Sequence, residues 1–367
     1  MIKTRLLVAA SAASLALCSQ AFAEDHSHHH HHHHHSEHKH IITPDSLMGT
    51  HMHDAGEWMF SYRFKHMRMD GNQKDGSSIS DDEIATTIPN RFSGMAGQPP
   101  TLRIVPQVMS MDMHMFGAMY GVNDWLTLMG MAMYMKKDMT LTTYMGGMGT
   151  TTLGNFSTYS SGLGDTKVSS LIKLYENNSA KIHGQLGFSL PTGSIDEEDD
   201  VLTPMNMRTT MRLPYSMQLG TGTYDFLPAL TYAAAHDSWS WGAQYQGEIR
   251  LEDENDEGYA WGDKHTFNSW VGYQWADWIG STARLSAWTM DEIDGIDSNI
   301  MGPVQTADPD NYGGETVEFG LGINLSPPDE FSNHSMSLEL ATPLYQDLNG
   351  VQMETDWSMT FAWKATF

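Results

Sequence analysis

The sequence predicts an all-β fold: a transmembrane, antiparallel, up-and-down β-barrel of about twelve strands, with short periplasmic turns and long extracellular loops. Three observations carry this. The chain opens with an export signal, its apolar residues recur at every second position in runs of about ten, and it ends on an aromatic strand whose final residue is Phe367. Alternation with a period of two belongs to a strand, and apolar-out, polar-in alternation over about ten residues is the mark of a membrane barrel.

The signal comes first. "MIKTRLLVAASAASLALCSQAFA" carries Lys3 and Arg5, then an apolar run, then Ala21-Phe22-Ala23 as a small-x-small cleavage site. Residues 1–23 therefore read as a secretory signal peptide. Cys18, the only cysteine among 367 residues, lies inside it, so the mature chain has no disulfide or thiol chemistry. A lipoprotein reading of "LALC" meets a Leu17 that is large for the position before the cysteine. No later stretch approaches the roughly 18 consecutive apolar residues of a membrane-spanning helix. A net charge of −25 argues against nucleic acid and anionic headgroups as partners.

Residues 24–56 follow as a His/Met-rich tail, expected to be disordered on the periplasmic side. Eleven of the nineteen histidines fall between His26 and His40, among them His28, His30, His32, His34, His38 and His40. Neutral imidazole is a ligand for zinc and copper, so the run either binds such ions or is a bystander spacer. Then "SLMGTHMHDAGEWMF" offers His51, Met52 and His53, mixed donors that suit copper. No cofactor is expected beyond such ions.

The barrel is expected over 57–367. Twelve segments carry the alternation: 57–69, 103–120, 126–143, 163–176, 180–191, 218–235, 239–251, 264–276, 279–290, 315–326, 334–344 and 355–367. The last sets Trp357, Met359, Phe361, Trp363, Ala365 and Phe367 against Ser358, Thr360, Ala362, Lys364 and Thr366. Phe367 is the expected handle for the barrel-assembly machinery. Short connections near Asn123-Asp124, Asn177-Asn178, Asp237-Ser238 and Ala276-Asp277 alternate with long ones over 70–102, 146–162, 192–217, 252–263, 291–314 and 345–354. Tryptophans beside the short turns form the expected interfacial girdle. Arg63, Lys65, Glu248, Arg250, Arg284, Glu318 and Glu339 are expected to line the lumen, as a salt-bridged wall or as a selectivity filter.

The methionines pose a separate question. Met109, Met111, Met113 and Met115 alternate with Ser110, Asp112 and His114, and the pattern recurs at Met129, Met131, Met133 and Met135. Because a carboxylate is costly in hydrocarbon, Asp112 and His114 are expected in the lumen, with the methionines as apolar filler against lipid. The reverse assignment would line the lumen with thioethers, a Cu(I) path. With Asp112 and His114 inside, a periplasmic-mouth metal cluster of His51, Met52, His53, Asp112 and His114 is within reach. The acidic loops "DEEDD" (196–200), "EDENDE" (252–257) and "DEIDGID" (291–297) are expected outside, either solvated or holding Ca²⁺ against lipopolysaccharide.

Four stretches, "MGTHMHDAGEWMFSYRFKHMRMDGN", "MSMDMHMFGAMYGVNDWLTLMGMAMY", "GLGDTKVSSLIKLY" and "GFSLPTGS", resemble the bacterial outer-membrane family labelled meta-pathway of phenol degradation, often called simply a transporter. The resemblance covers about 47–367 and implies a barrel and solute passage; its Met/His-rich members suggest copper handling. It assigns no catalytic residues, and the chain has no serine in a G-x-S-x-G setting, so no enzyme is expected. Two functions stand side by side: a channel for a small solute or metal, and a metal-sequestering barrel without transport.

Overall fold

The computed structural model describes residues 41–328 and 331–367; the expected signal peptide and the histidine run lie outside them. Thirteen long strands build the wall: β1 (Trp58–Lys74), β2 (Ile104–Asn123), β3 (Leu126–Tyr144), β4 (Thr152–Leu163), β5 (Thr166–Glu176), β6 (Ala180–Leu190), β7 (Ala229–His236), β8 (Trp239–Arg250), β9 (Lys264–Ala276), β10 (Ile279–Met290), β11 (Gly314–Leu325), β12 (His334–Leu348) and β13 (Val351–Thr366). β4 and β5 share one stave, pairing with the upper and lower parts of β3 in turn. Twelve antiparallel staves result. The ring closes where β1 pairs with β13, from Met59 opposite Thr366 to Lys74 opposite Val351. The ring closes through β5, while β4 pairs with β3 alone toward the loop end; closure is the condition for a sheet to stand in lipid.

The outward faces suit a bilayer. Phe60, Phe116, Leu128, Leu321, Ile323 and Leu340 are all exposed on the outer surface. Trp58, Trp125, Trp239, Trp275 and Trp278 are exposed at the end that carries the short turns, an aromatic girdle at one interface. Inward faces hold Ser240, Gln244, Thr282, Arg284, Ser337 and Glu339, all buried.

Three expectations fail. The long connection expected over 146–162 contains the strand β4; "TLGNFSTYSSGL" is rich in hydroxyls and glycine and shows little hydrophobic contrast. The stretch 218–235 is strand only from Ala229, apart from a two-residue pairing at Asp225–Phe226. Residues 345–354 are no long loop, because β12 runs to Leu348 and β13 starts at Val351, with Gly350 at φ +59° in the turn between them.

The long connections do not stay loose. Phe92, Leu213, Tyr215, Tyr259, Ile300 and Tyr312 from four of them share one core with Met109, Met139 and Met353 of the wall. This caps the loop end. A short helix, α1 (Asp81–Thr87), begins at Ser80, whose hydroxyl accepts the Glu83 N–H, and buries Ile84 and Ala85 beneath the cap.

At the other end, residues 41–57 enter the barrel rather than trailing from it, a departure from the expected disordered tail over this part. The Ile42 N–H donates to Ser240 Oγ at 3.0 Å. The Ser46 hydroxyl donates to Glu339 at 2.8 Å, the Met48 carbonyl accepts from Gln244 at 2.9 Å, and the Gly49 carbonyl lies 2.7 Å from His183 Nε2. The segment has no periodicity for a sequence pattern to reveal. Its order comes from hydrogen bonds to inward polar groups on many staves, Ser240, Glu339, Gln244 and His183 among them.

Candidate functional site

The register of three adjacent strands decides which way the methionines face. In β1 and β2, Arg63 stands opposite Met115, Lys65 opposite Met113, and Met67 opposite Met111. Opposed residues share a face. The expectations that Arg63 and Lys65 line the lumen and that Met113 and Met115 meet lipid therefore exclude each other. Arg63 is buried and donates through Nε to the Asp45 carbonyl inside the barrel at 2.8 Å, so the methionines of β2 face inward. Those of β3 follow them, with Met115 opposite Met133 and Met113 opposite Met135.

The result is a ladder of thioethers. Its lowest rung is Met59, Met119 and Met129; its highest is Met69, Met109 and Met139. On each of three rungs between them two methionines sit beside one cation: Arg63, Lys65 or Lys137. The lowest rung is buried with Leu171, and Met48 and Met52 of the inner segment pack on it.

Asp112 and His114 consequently face outward, which corrects the expected mouth cluster. Physically, the alternative would have turned Arg63 and Lys65 into hydrocarbon. Asp112 is instead paired with His66 at 2.6 Å, and His114 Nδ1 lies 2.9 Å from the Tyr62 hydroxyl. At about 3.3 Å per residue along a tilted strand, His66 stands roughly 20 Å above Trp58, near the upper rim of the apolar band. A paired carboxylate is tolerable there.

His51, Met52 and His53 do come together. With Asp54, Glu57, Met59 and His183 they line a cavity of about 680 Å³ at the turn end. The His51 and His53 rings meet edge to face with centroids 5.1 Å apart. His53 Nδ1 is 2.8 Å from the Glu57 carboxylate, while its buried Nε2 has no hydrogen-bond partner. Burial, together with the nearby Lys364, His53, Arg63 and His183, holds the His51 pKa well below the usual imidazole value, so that ring is neutral at neutral pH. Among the described residues no three His, Cys, Asp or Glu side chains converge on one point, the three acidic loops included, so a cation here would need the methionines. Of His28, His30, His32, His34, His38 and His40 nothing is described.

The charged wall is ordered by pairing. Arg284 donates to Glu339 at 2.7 Å and to Glu318 at 2.6 Å. Arg250 contacts Asp225 at 2.6 Å, and Lys364 is ion-paired with Asp45. Glu248 projects from an inward position opposite Lys264. Sequence reasoning missed Asp45 and Glu57. The only available hint for Glu57 was its place four residues after His53.

Near the loop end Met139, Leu141, Phe156, Met207, Met211 and Val304 help line an apolar pocket of about 570 Å³. Beside it Arg212 reaches buried Asp297 at 3.2 Å and Glu257 at 3.3 Å, so part of the acidic surface is neutralised internally.

A closed, capped, internally plugged twelve-stave barrel with an apolar outer belt has the architecture of a transmembrane β-barrel. More particularly, the chain is similar to a structure described as the COG4313 outer membrane channel from Pseudomonas putida F1, with TM-score 0.56 and 14% identity over 89% of this chain and 100% of that one. Weaker likenesses reach the TodX monoaromatic hydrocarbon channel deltaS2 mutant (TM-score 0.46, 9% identity, 86% and 91% covered) and a Pseudomonas aeruginosa FadL homologue (TM-score 0.41, 9% identity, 85% and 89% covered). At 14% identity the first likeness speaks to the fold alone, and the other two are too distant in shape to support an argument. No family model and no curated protein matches the chain.

Proposed function

We propose that the protein is an outer-membrane channel for a small solute, stoppered at its periplasmic mouth by its own residues 41–57, and that its cargo is linked to copper or a similar transition metal. The observation that carries this is the inward thioether ladder, which spans the wall from the plug to the loop-end pocket. Methionine is a soft donor with little affinity for Na⁺, Mg²⁺ or Ca²⁺, so such a wall discriminates by chemistry as well as by width. The protein is read as a conduit, not an enzyme. Phe367, exposed beside Phe60, would be the residue read during assembly into the outer membrane.

The test is conductance in planar bilayers, with and without a variant that dislodges the plug. A barrel that stays silent with its plug released removes the channel reading. That outcome would favour the second reading, a metal-sequestering barrel without transport, for which the capped loop end and the plugged turn end both speak. The resemblance to the phenol-degradation family makes an apolar solute the other cargo to assay, and the loop-end pocket has the lining for one.

A further inference from the structure

The turn-end cavity has features that packing alone does not require. His53 is 7% exposed, and its Nδ1 is bound to Glu57 while its Nε2 is left without a partner. A carboxylate that takes one ring N–H leaves the other nitrogen with a free lone pair, the arrangement found behind metal-ligating histidines. His51 lies against this ring, and Met52 and Met59 line the same cavity. Met59 also opens the ladder, facing Met119, which faces Met129.

We propose that this cavity binds a soft monovalent d¹⁰ cation, Cu(I) in the cell, through the imidazoles of His51 and His53 and the thioethers of Met52 and Met59, and that the ladder continues it as a series of weaker thioether sites. The inference deepens the channel reading and rests on it for the route, not for the binding. Thioether donors select Cu(I) over Zn²⁺ and the hard divalent ions, and neutral imidazole accepts copper as well. Thioether sulfur and an imidazole ring nitrogen both bind copper through lone pairs, so the ion enters and leaves as Cu(I), with no electron transferred. Lys364 beside the cavity is already paired with Asp45, and Asp54 and Glu57 stand at its wall, so one added positive charge is tolerable. Further up, Arg63, Lys65 and Lys137 each displace one methionine from a rung. Their charge weakens binding there, and an ion that must leave needs sites that do not hold it.

Glu57 is the positioning residue of this site, and methionine as mere filler is the competing explanation. The two separate experimentally, because leucine fills space as methionine does but offers no sulfur. The full mature protein in detergent is titrated with Ag(I), a redox-inert probe of the same class, and with Cu(I) kept reduced, and the first bound equivalent is examined by X-ray absorption. The wild type should show a mixed nitrogen and sulfur shell. In Met52→Leu/Met59→Leu the sulfur should vanish while heat-dependent gel mobility still reports a folded barrel. Glu57→Gln should keep the sulfur shell and weaken the first equivalent by about 10–100-fold, the usual cost of losing a supporting carboxylate. A nitrogen-only shell in the wild type overturns the site, because it places the ion on the histidine run. Unchanged affinity in the leucine pair, or displacement of the ion by Zn²⁺ or Ca²⁺, overturns it too. A sulfur shell in a barrel that conducts nothing upholds the site and removes only the route.

Discussion

Asp45, on the segment inside the barrel, is ion-paired with Lys364 on the last strand, 319 positions away in the chain. Both side chains are largely buried, so the pair joins the plug to the stave that closes the ring. Removing one partner strands the other charge, at a cost of about 3–5 kcal/mol. Asp45→Ala should therefore release residues 41–57 to added protease and raise conductance, and Asp45→Ala/Lys364→Met should recover part of the docking. Equal protection of the plug in wild type and Asp45→Ala would mean that the pair does not hold it.

Gly121 gives a second handle on the same segment. A Cβ there would lie 1.9 Å from the Asp54 carbonyl oxygen, while the Gly121 N–H donates to the Glu57 carbonyl at 2.9 Å and its own carbonyl accepts from the Gly56 N–H at 2.7 Å. Gly121→Ala should displace the plug and leave the staves paired. The check is unaltered strand content by circular dichroism together with a gain in conductance.

The face assignment predicts an asymmetry on one strand. Phe116 is 56% exposed on the lipid side of β2, and Met111 is inward. Phe116→Lys should cost about 2–4 kcal/mol in a bilayer, the usual penalty for a lysine near the midplane, whereas Met111→Lys should cost less than half of that. Equilibrium unfolding in lipid vesicles measures both. A larger loss for Met111→Lys would reverse the assignment.

Arg284 holds two inner-wall acids, Glu339 and Glu318. Arg284→Leu should leave a pair of unneutralised carboxylates and destabilise the barrel by about 3 kcal/mol or more, while Arg284→Leu/Glu318→Gln/Glu339→Gln should regain much of the loss. The midpoint of the heat-dependent gel shift reports both. A triple variant no more stable than the single one would argue that the arginine acts through packing.

The cap carries its own pH dependence. Tyr215 packs edge to face on Tyr259 and Tyr312, at centroid distances of 4.7 and 5.7 Å. Burial pushes the Tyr215 hydroxyl up to about 12 and raises the other two as well. A pKa raised in the folded state means stability fully present below the ordinary tyrosine value near 10 and lost as pH climbs through the folded one. Tyrosinate absorbance and proteolysis of the loops should thus rise together from pH about 10 upward, with the staves intact. Loosening that begins near neutral pH would place the cause elsewhere.

Most of the wall was legible in the chain because, along β8, β11, β12 and β13, lipid and lumen demand opposite chemistry of alternate residues. Trp239 and Trp241 against Gln244 and Glu248, or Leu338 and Leu340 against Ser337 and Glu339, leave one workable orientation. The short turns near Asn123-Asp124, Asn177-Asn178, Asp237-Ser238 and Ala276-Asp277 followed from the same alternation, whereas the lengths of the connections over 146–162 and 345–354 did not. The histidine and methionine donors were visible as residue types, and His51, Met52 and His53 were near neighbours in any fold.

Where the contrast between faces vanishes, only tertiary structure decides. A thioether is nearly indifferent between lipid and an inner wall, so the methionine strands were oriented by their neighbours, through Arg63 facing Asp45 and through Asp112 finding His66 at the rim. The plug and the cap were beyond pattern reading for a related reason. Their order comes from partners on distant staves, as with Gly49 on His183 or Tyr215 on Tyr312, and no local period records a contact made across the barrel. Local alternation determined the cylinder and most of its two faces; contacts between remote residues determined what fills it and what the methionines face.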